Sequence, residues 1–252
     1  MKKSVLSLVI VNVIMVAQLW SQTNVSSSKK EIEDRNFRIP LIGEKAPAFK
    51  AESTNGEIIF PTDYGRNWKL LFSHPQDFTP VCSTEILELA YLQDEFDKLG
   101  VKIVVISTDP LETHVHWQKA LESISINERK PVKIKFPLVD DENIAVSKKY
   151  GMIHAKTNST KSVRGVFIID PDNIIQSIYF YPMNIGRNTD ELIRTILALQ
   201  TATAENVLTP ANWKPGKDLL LPYAIKKDEN SLSASSPEYY SPAWFLLYKK
   251  AK

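Results

Sequence analysis

Residues 69–108 read KLLFSHPQDFTPVCSTEILELAYLQDEFDKLGVKIVVIST. Lys69–Ser73 is a short apolar run and reads as a buried strand. In Pro80–Leu99 the residues Leu89, Leu92, Phe96 and Leu99 make an apolar stripe at helical spacing, while Leu87, Ala90, Tyr91 and Asp94 turn onto other faces. Gly100 stands where a helix C′ residue is expected, and Val101–Thr108 reads as a second buried strand. Two buried strands bracketing one helix predict a right-handed crossover with parallel pairing. The only cysteine of the 252 residues, Cys82, falls in the first turn of that helix. A helix start presents partly positive, unpaired N–H groups, so a cysteine there tends to ionise to the reactive thiolate.

The same reading extends outward. Asn55-Gly56 between short β-type runs signals a hairpin. A helix is expected over Leu111–Ile124, a short strand over Phe136–Val139, and a short helix over Asn143–Tyr150 ended by Gly151. Val163–Ile169 and Ile174–Tyr181 flank the turn Asp170-Pro171-Asp172-Asn173 and should pair as a hairpin. Asn188–Gln200 is helical, with Leu192, Ile193, Ile196 and Leu197 facing inward. The fold class is therefore α/β, a mixed sheet flanked by helices. Beyond Thr201 periodicity fades and prolines recur at Pro210, Pro215, Pro222, Pro237 and Pro242, so an arm of limited regular structure is expected, docked on a partner subunit.

Composition narrows the chemistry. With 43% apolar and 24% charged residues, the chain can build a substantial core without metals or disulfides. Its 31 basic and 29 acidic residues create no field that would select nucleic acid. One cysteine excludes an intrachain disulfide, a CxxC redox pair and a multi-cysteine zinc site. Cys82 is either an idle core residue or works alone. Arg164 stands in an otherwise apolar strand, and a buried arginine is costly without a charged partner. Glu85, one turn after Cys82, is placed to be that partner. His114 and His116 are two apart on a helix and point to different faces, and His154 lies in a loop, so no metal site is expected.

Pro75, Thr79 and Cys82 form Pro-x-x-x-Thr-x-x-Cys, and the chain here resembles the peroxiredoxins. The wording FSHPQDFTPVCSTE is most similar to the one-cysteine branch, and the likeness runs from Ile42 (IGEKAPAF) through Leu208–Leu221, about four-fifths of the chain. The resemblance implies a thioredoxin-like fold and a thiol peroxidase without cofactor. It places Arg164 beside the thiolate and gives the Thr79 hydroxyl a hydrogen bond to the peroxide, alongside the helix capping open to any threonine there. Pro75, lacking an N–H, would help exclude water. Arg187 matches a second family arginine, although helix-start capping explains it nearly as well, and His74 at the active-site entrance suits a local hydrogen bond. Cys82 would become a sulfenic acid reduced by an external thiol of glutathione or thioredoxin type. A homodimer, or a decamer, is the implied assembly. The rival readings are a redox-sensing or chaperone-like interaction protein using the same cysteine, and a thiol–disulfide exchange protein, which the missing second cysteine disfavours.

Some members of that branch are credited with lipid hydrolysis through a Gly-x-Ser-x-Gly serine and a histidine. Here Gly65-Arg66-Asn67-Trp68-Lys69 carries Asn67 at the serine and Pro61 falls at the histidine, so that activity should be missing, and Asp172 suits an ordinary turn. Met1-Lys2-Lys3 followed by the apolar run Val5–Trp20 has the form of a signal peptide. The expected division is a targeting segment or anchor over 1–21, a linker over 22–36, the peroxiredoxin domain over 37–200 and a C-terminal extension over 201–252. Export to a periplasmic or secreted location is the reading preferred, with an uncleaved anchor or a cytoplasmic location as alternatives. Oxidising compartments are poor in the reduced thiols that recycling needs. Sequons at Asn24 and Asn158 would matter only in a eukaryotic secretory route.

Overall fold

In the computed structural model, the structure describes residues 38–222, 237–243 and 245–251. The targeting segment and linker expected over 1–36 lie outside these residues. Among the described residues, no helix is long and apolar enough to cross a membrane.

The chain opens with an antiparallel hairpin, β1 (Phe49–Ala51) and β2 (Ile58–Phe60), turned at Gly56 as the Asn-Gly pair predicts. The expected crossover follows: β3 (Trp68–Ser73), α1 (Pro80–Lys98) and β4 (Val101–Ser107), with β3 and β4 parallel from Trp68↔Val101 to Ser73↔Ile106. Gly100 takes the left-handed φ of +67° that lets the chain leave α1. Then come α2 (Leu111–Leu121), β5 (Leu138–Asp140), α3 (Ala145–Lys149), β6 (Arg164–Ile169), β7 (Ile175–Tyr181) and α4 (Thr189–Glu205). The five-stranded sheet runs β5-β4-β3-β6-β7, parallel on the β5–β4–β3 side and antiparallel where β6 and β7 join.

Strand alternation divides the core. Leu70, Phe72, Val105 and Ile168 face one layer, made by Ile86, Leu89 and Phe96 of α1, Trp117 of α2, and Leu192 and Ile196 of α4. Leu71, Val104, Ile106 and Phe167 face the other, where Phe49 and Phe60 of the hairpin pack with Val146 and Tyr150. The buried stripe of α1 is wider than the expected one, because Ile86, Leu87, Ala90 and Gln93 are also covered.

Three expectations are corrected. Helix α2 ends three residues early: Glu122 turns its carboxylate to the Ile134 N–H at 3.0 Å instead of continuing the helix. Helix α4 runs to Glu205 and stops at Asn206, whose φ of +50° is the left-handed terminus that asparagine tolerates. The arm after it carries more regular structure than expected. Strands β8 (Leu219–Leu220), β9 (Tyr239–Ala243) and β10 (Leu246–Lys249) form a second antiparallel sheet, ordered β8-β10-β9. Trp213, Val207 and Leu219 seat that region against Ala198 of α4.

Candidate active site

The site forms at the C-terminal edge of β3. Because β6 runs antiparallel to β3, with Phe72 opposite Val166, Arg164 at the start of β6 reaches the same edge as the loop 74–79. The Ser73 hydroxyl welds the two strands, donating to Val163 O at 2.7 Å and accepting from Gly165 N at 2.8 Å. Pro80 takes the first position of α1, where its missing N–H is no loss. Cys82 is the third residue of that helix and is fully buried.

Arg164 Nη1 donates to Cys82 Sγ at 3.2 Å and to Glu85 Oε2 at 2.7 Å. The rest of its guanidinium is pinned by the Met183 carbonyl, which accepts from Nε at 3.0 Å and from Nη2. Arg187 grips the same carboxylate: Nε and the backbone N–H each reach Oε1 at 2.8 Å, and Nη2 reaches Oε2 at 2.7 Å. Its guanidinium carbon lies 3.3 Å over the Phe72 ring. Burial pushes the Glu85 carboxyl up, but the hydrogen bonds and charge of Arg187, joined by the Arg164 charge, hold it below the ordinary carboxylate range. Two arginines thus share one carboxylate beside the only thiol. A bidentate, desolvated arrangement of this kind fixes guanidinium orientation to within a narrow range.

The structure brings Arg164, Glu85, Arg187 and Cys82 together, and Pro75 is buried in the loop between β3 and α1. Helix-start capping does not explain Arg187, because Asn188 caps α4 through its side chain. Thr79 stands at the N-cap of α1 but makes no side-chain cap; its hydroxyl donates instead to Gln76 O at 2.8 Å. His74 is not at an entrance. It is fully buried, with Nε2 2.7 Å from Asp77 Oδ1 and its carbonyl accepting from Ser162.

A second buried cluster, not foreseen from the sequence, lies next to this one in the chain. Asp77 Oδ2 lies 2.7 Å from His114 Nδ1, and His114 Nε2 lies 3.1 Å from Val139 O. The Asp77 N–H donates to Asp109 Oδ2, and Asp109 is paired with Lys161 at 2.7 Å. Asp77 sits inside the quoted motif, which was its one visible signal. Donor atoms of His74, Asp77 and Asp109 fall within 4.8 Å of one another, but hydrogen bonds already occupy both Asp77 oxygens and an ammonium sits on Asp109.

A family profile described as AhpC/TSA family matches residues 42–178, and one described as the C-terminal domain of 1-Cys peroxiredoxin matches residues 198–230. The chain is a one-cysteine peroxiredoxin. A peroxiredoxin of Methanosarcina mazei is 46% identical over 215 residues, covering 84% of this chain and 98% of the relative. A mitochondrial peroxiredoxin of Saccharomyces cerevisiae is 41% identical over 247 residues, covering 94% and 92%. The solved structure of a yeast mitochondrial 1-Cys peroxiredoxin, described for thiol resolution via glutathione/thioredoxin systems, superposes with a TM-score of 0.74 at 36% identity, covering 84% of this chain and all of that one. Peroxiredoxin 6 of Arenicola marina, as a cysteine-to-serine mutant, gives 0.74 at 32% identity over 84% and 99%. This peroxiredoxin is a thiol-dependent peroxidase with a thioredoxin-like fold.

Proposed function

We propose that Cys82 is the peroxidatic residue and attacks as a thiolate whose counter-charge is Arg164. The observation that carries this reading is the guanidinium contact to a fully buried sulfur, 3.2 Å from Nη1. A sulfur lone pair forms the S–O bond, the O–O bond breaks, and the leaving oxygen departs with its electron pair and a proton as water or alcohol. Arg164 and the first-turn N–H groups face the developing negative charge, where fixed dipoles in a dry site are most effective. The Thr79 hydroxyl, turned to Gln76 in the resting site, is the group that would reorient to the peroxide, and Pro75 seals the pocket wall. Glu85 and Arg187 orient Arg164.

The resulting sulfenic acid has no second cysteine to capture it, so an external thiol of the glutathione or thioredoxin type returns it to the thiolate, as in the yeast 1-Cys relative. Dimer or higher-ring assembly, and export directed by the basic and apolar N-terminus, belong to the same proposal. Cys82→Ser tests it, because serine is nearly isosteric but barely ionises near neutral pH. Stopped-flow assays should find peroxide consumption abolished with the fold intact, and substantial turnover by the variant would sink the assignment.

A further inference from the structure

We propose that Asp77 and His114 are positioning residues of the peroxidase site: a buried carboxylate–imidazolium pair that clamps the loop carrying Pro75 and Thr79 and fixes His74 as its Nε2–H tautomer. The inference rests on the reading of Cys82 as the reacting thiol.

The hydrogen-bond contacts fix the number of protons in the cluster. Three ring nitrogens face three oxygens: His74 Nε2 faces Asp77 Oδ1, His114 Nδ1 faces Asp77 Oδ2, and His114 Nε2 faces Val139 O. A backbone carbonyl and an ionised carboxylate only accept, so each contact needs a hydrogen on nitrogen. Two neutral imidazoles carry two such hydrogens between them. The cluster therefore holds one more proton, and His74, Asp77 and His114 together are electrically neutral. Neutrality suits side chains that are fully buried, as both imidazoles and the Asp77 carboxylate are. His114 is the ring whose two nitrogens both face acceptors, so the geometry puts the extra proton there, and the hydrogen bonds of both histidines, outweighing burial, keep the Asp77 carboxyl below its ordinary range and so ionised. Burial pushes His74 the other way, toward the neutral ring. With its hydrogen on Nε2, His74 keeps a bare Nδ1, and that buried atom has no hydrogen-bond partner among the described residues.

The clamp joins three elements. His114 comes from α2 and Val139 from β5, while Asp77 and His74 belong to the loop leaving β3. Trp117 packs on His74 with ring centroids 5.0 Å apart. The charged groups facing the cluster from outside are Asp109 and, behind it, Lys161. Between Asp77 and Thr79 the loop holds Phe78 at a φ of +53°, a strained value for a bulky residue, which needs support from neighbouring contacts. Removing the pair should leave the thiol in place and displace the loop that shapes the peroxide pocket.

The test combines spectra with rates. With ring-nitrogen-labelled histidine and His114→Asn, His74→Asn and Asp77→Asn for assignment, NMR at neutral pH should find His114 protonated on both nitrogens and His74 as the Nε2–H tautomer. In Asp77→Asn both signatures should disappear. His114→Phe should slow peroxide reduction about 10- to 100-fold, the cost of misplacing a reacting geometry by about an ångström, with alkylation of Cys82 changed far less. His114→Asn, which keeps a donor near Nδ1, should recover part of the rate. A bare ring nitrogen on His114 in the wild type, or a wild-type peroxide rate in a folded His114→Phe, would overturn the proposal. If His114→Phe does not fold, the wild-type spectra alone decide. Persistent turnover in Cys82→Ser would instead overturn the thiol reading and leave these spectra unchanged.

Discussion

Arg164 supplies the sulfur contact, one of the four hydrogen bonds on Glu85 and both bonds to Met183 O, so the thiol is tied to the rest of the site through one side chain. Arg164→Gln should shift the pH profile of Cys82 alkylation to higher pH, because the charge beside the sulfur is gone. Peroxide reduction should slow far more than alkylation does, since only the peroxide reaction needs the fixed donor. Unchanged profiles for both reactions would show that the guanidinium is merely structural. This residue was legible in the chain as the one charge in an apolar strand, and Glu85 was legible as its partner one turn from Cys82. Asp77 and His114 were not, because 37 positions separate them and only the folded sheet brings α2 over the loop. The side-chain capping expected of Thr79 fails for a local reason: the Gln76 carbonyl within reach of the turn takes its hydroxyl instead.

Among elements, the five-stranded sheet and its helices were readable because each carries its own periodicity and punctuation, such as Gly100 after α1 and the Asp170–Asn173 turn. The second sheet was not readable. Its strands are too short to leave a period, and β8 gains its order only by pairing Leu220 with Tyr248 across a long stretch of chain. That region is joined to α4 by Trp213, whose buried ring packs with Val207 and Leu219 and whose Nε1 donates to Lys217 O at 3.0 Å. Trp213→Ala should cost about 3–5 kcal/mol where the loss is felt. Hydrogen exchange should show amides around 207–221 losing protection while those of β3, β4 and β6 keep theirs. Uniform loss across the domain would mean that the arm is part of one cooperative core.

For the whole molecule, acid is the weak side. Glu85, Asp77 and His74 all take up protons less readily folded than unfolded, so each contributes stability at neutral pH that acid removes. The His74 contribution begins to fade as pH falls below its ordinary value of 6.5, and the carboxylates follow below their ordinary values of 4.5 and 3.8. Asp141 runs the other way, because burial raises it, and its contribution is lost as pH rises through its folded value. The buried Glu85, Asp77 and His74 should give a melting temperature that sags from pH 6.5 and falls steeply below 4.5. A flat profile from pH 7 to 4 would contradict the buried ion clusters as described.

The arginine pair also sets an alternation of charge parity along the oxidation series of the single sulfur. With the thiolate present, the guanidiniums of Arg164 and Arg187 are balanced by Glu85 and Cys82, and the enclosed group is neutral. Conversion to a sulfenic acid removes one negative charge and leaves a cation uncompensated among buried side chains. Sulfinic acid, ionised near neutral pH, restores the balance. A stranded buried charge is among the costlier defects a core can carry. Melting temperature should therefore fall at the sulfenic stage and climb again at the sulfinic one, a dip readable by calorimetry on samples titrated with peroxide and checked by intact mass. The half-oxidised enzyme is then a state that its own interior disfavours, and reduction back to the thiolate removes the uncompensated charge.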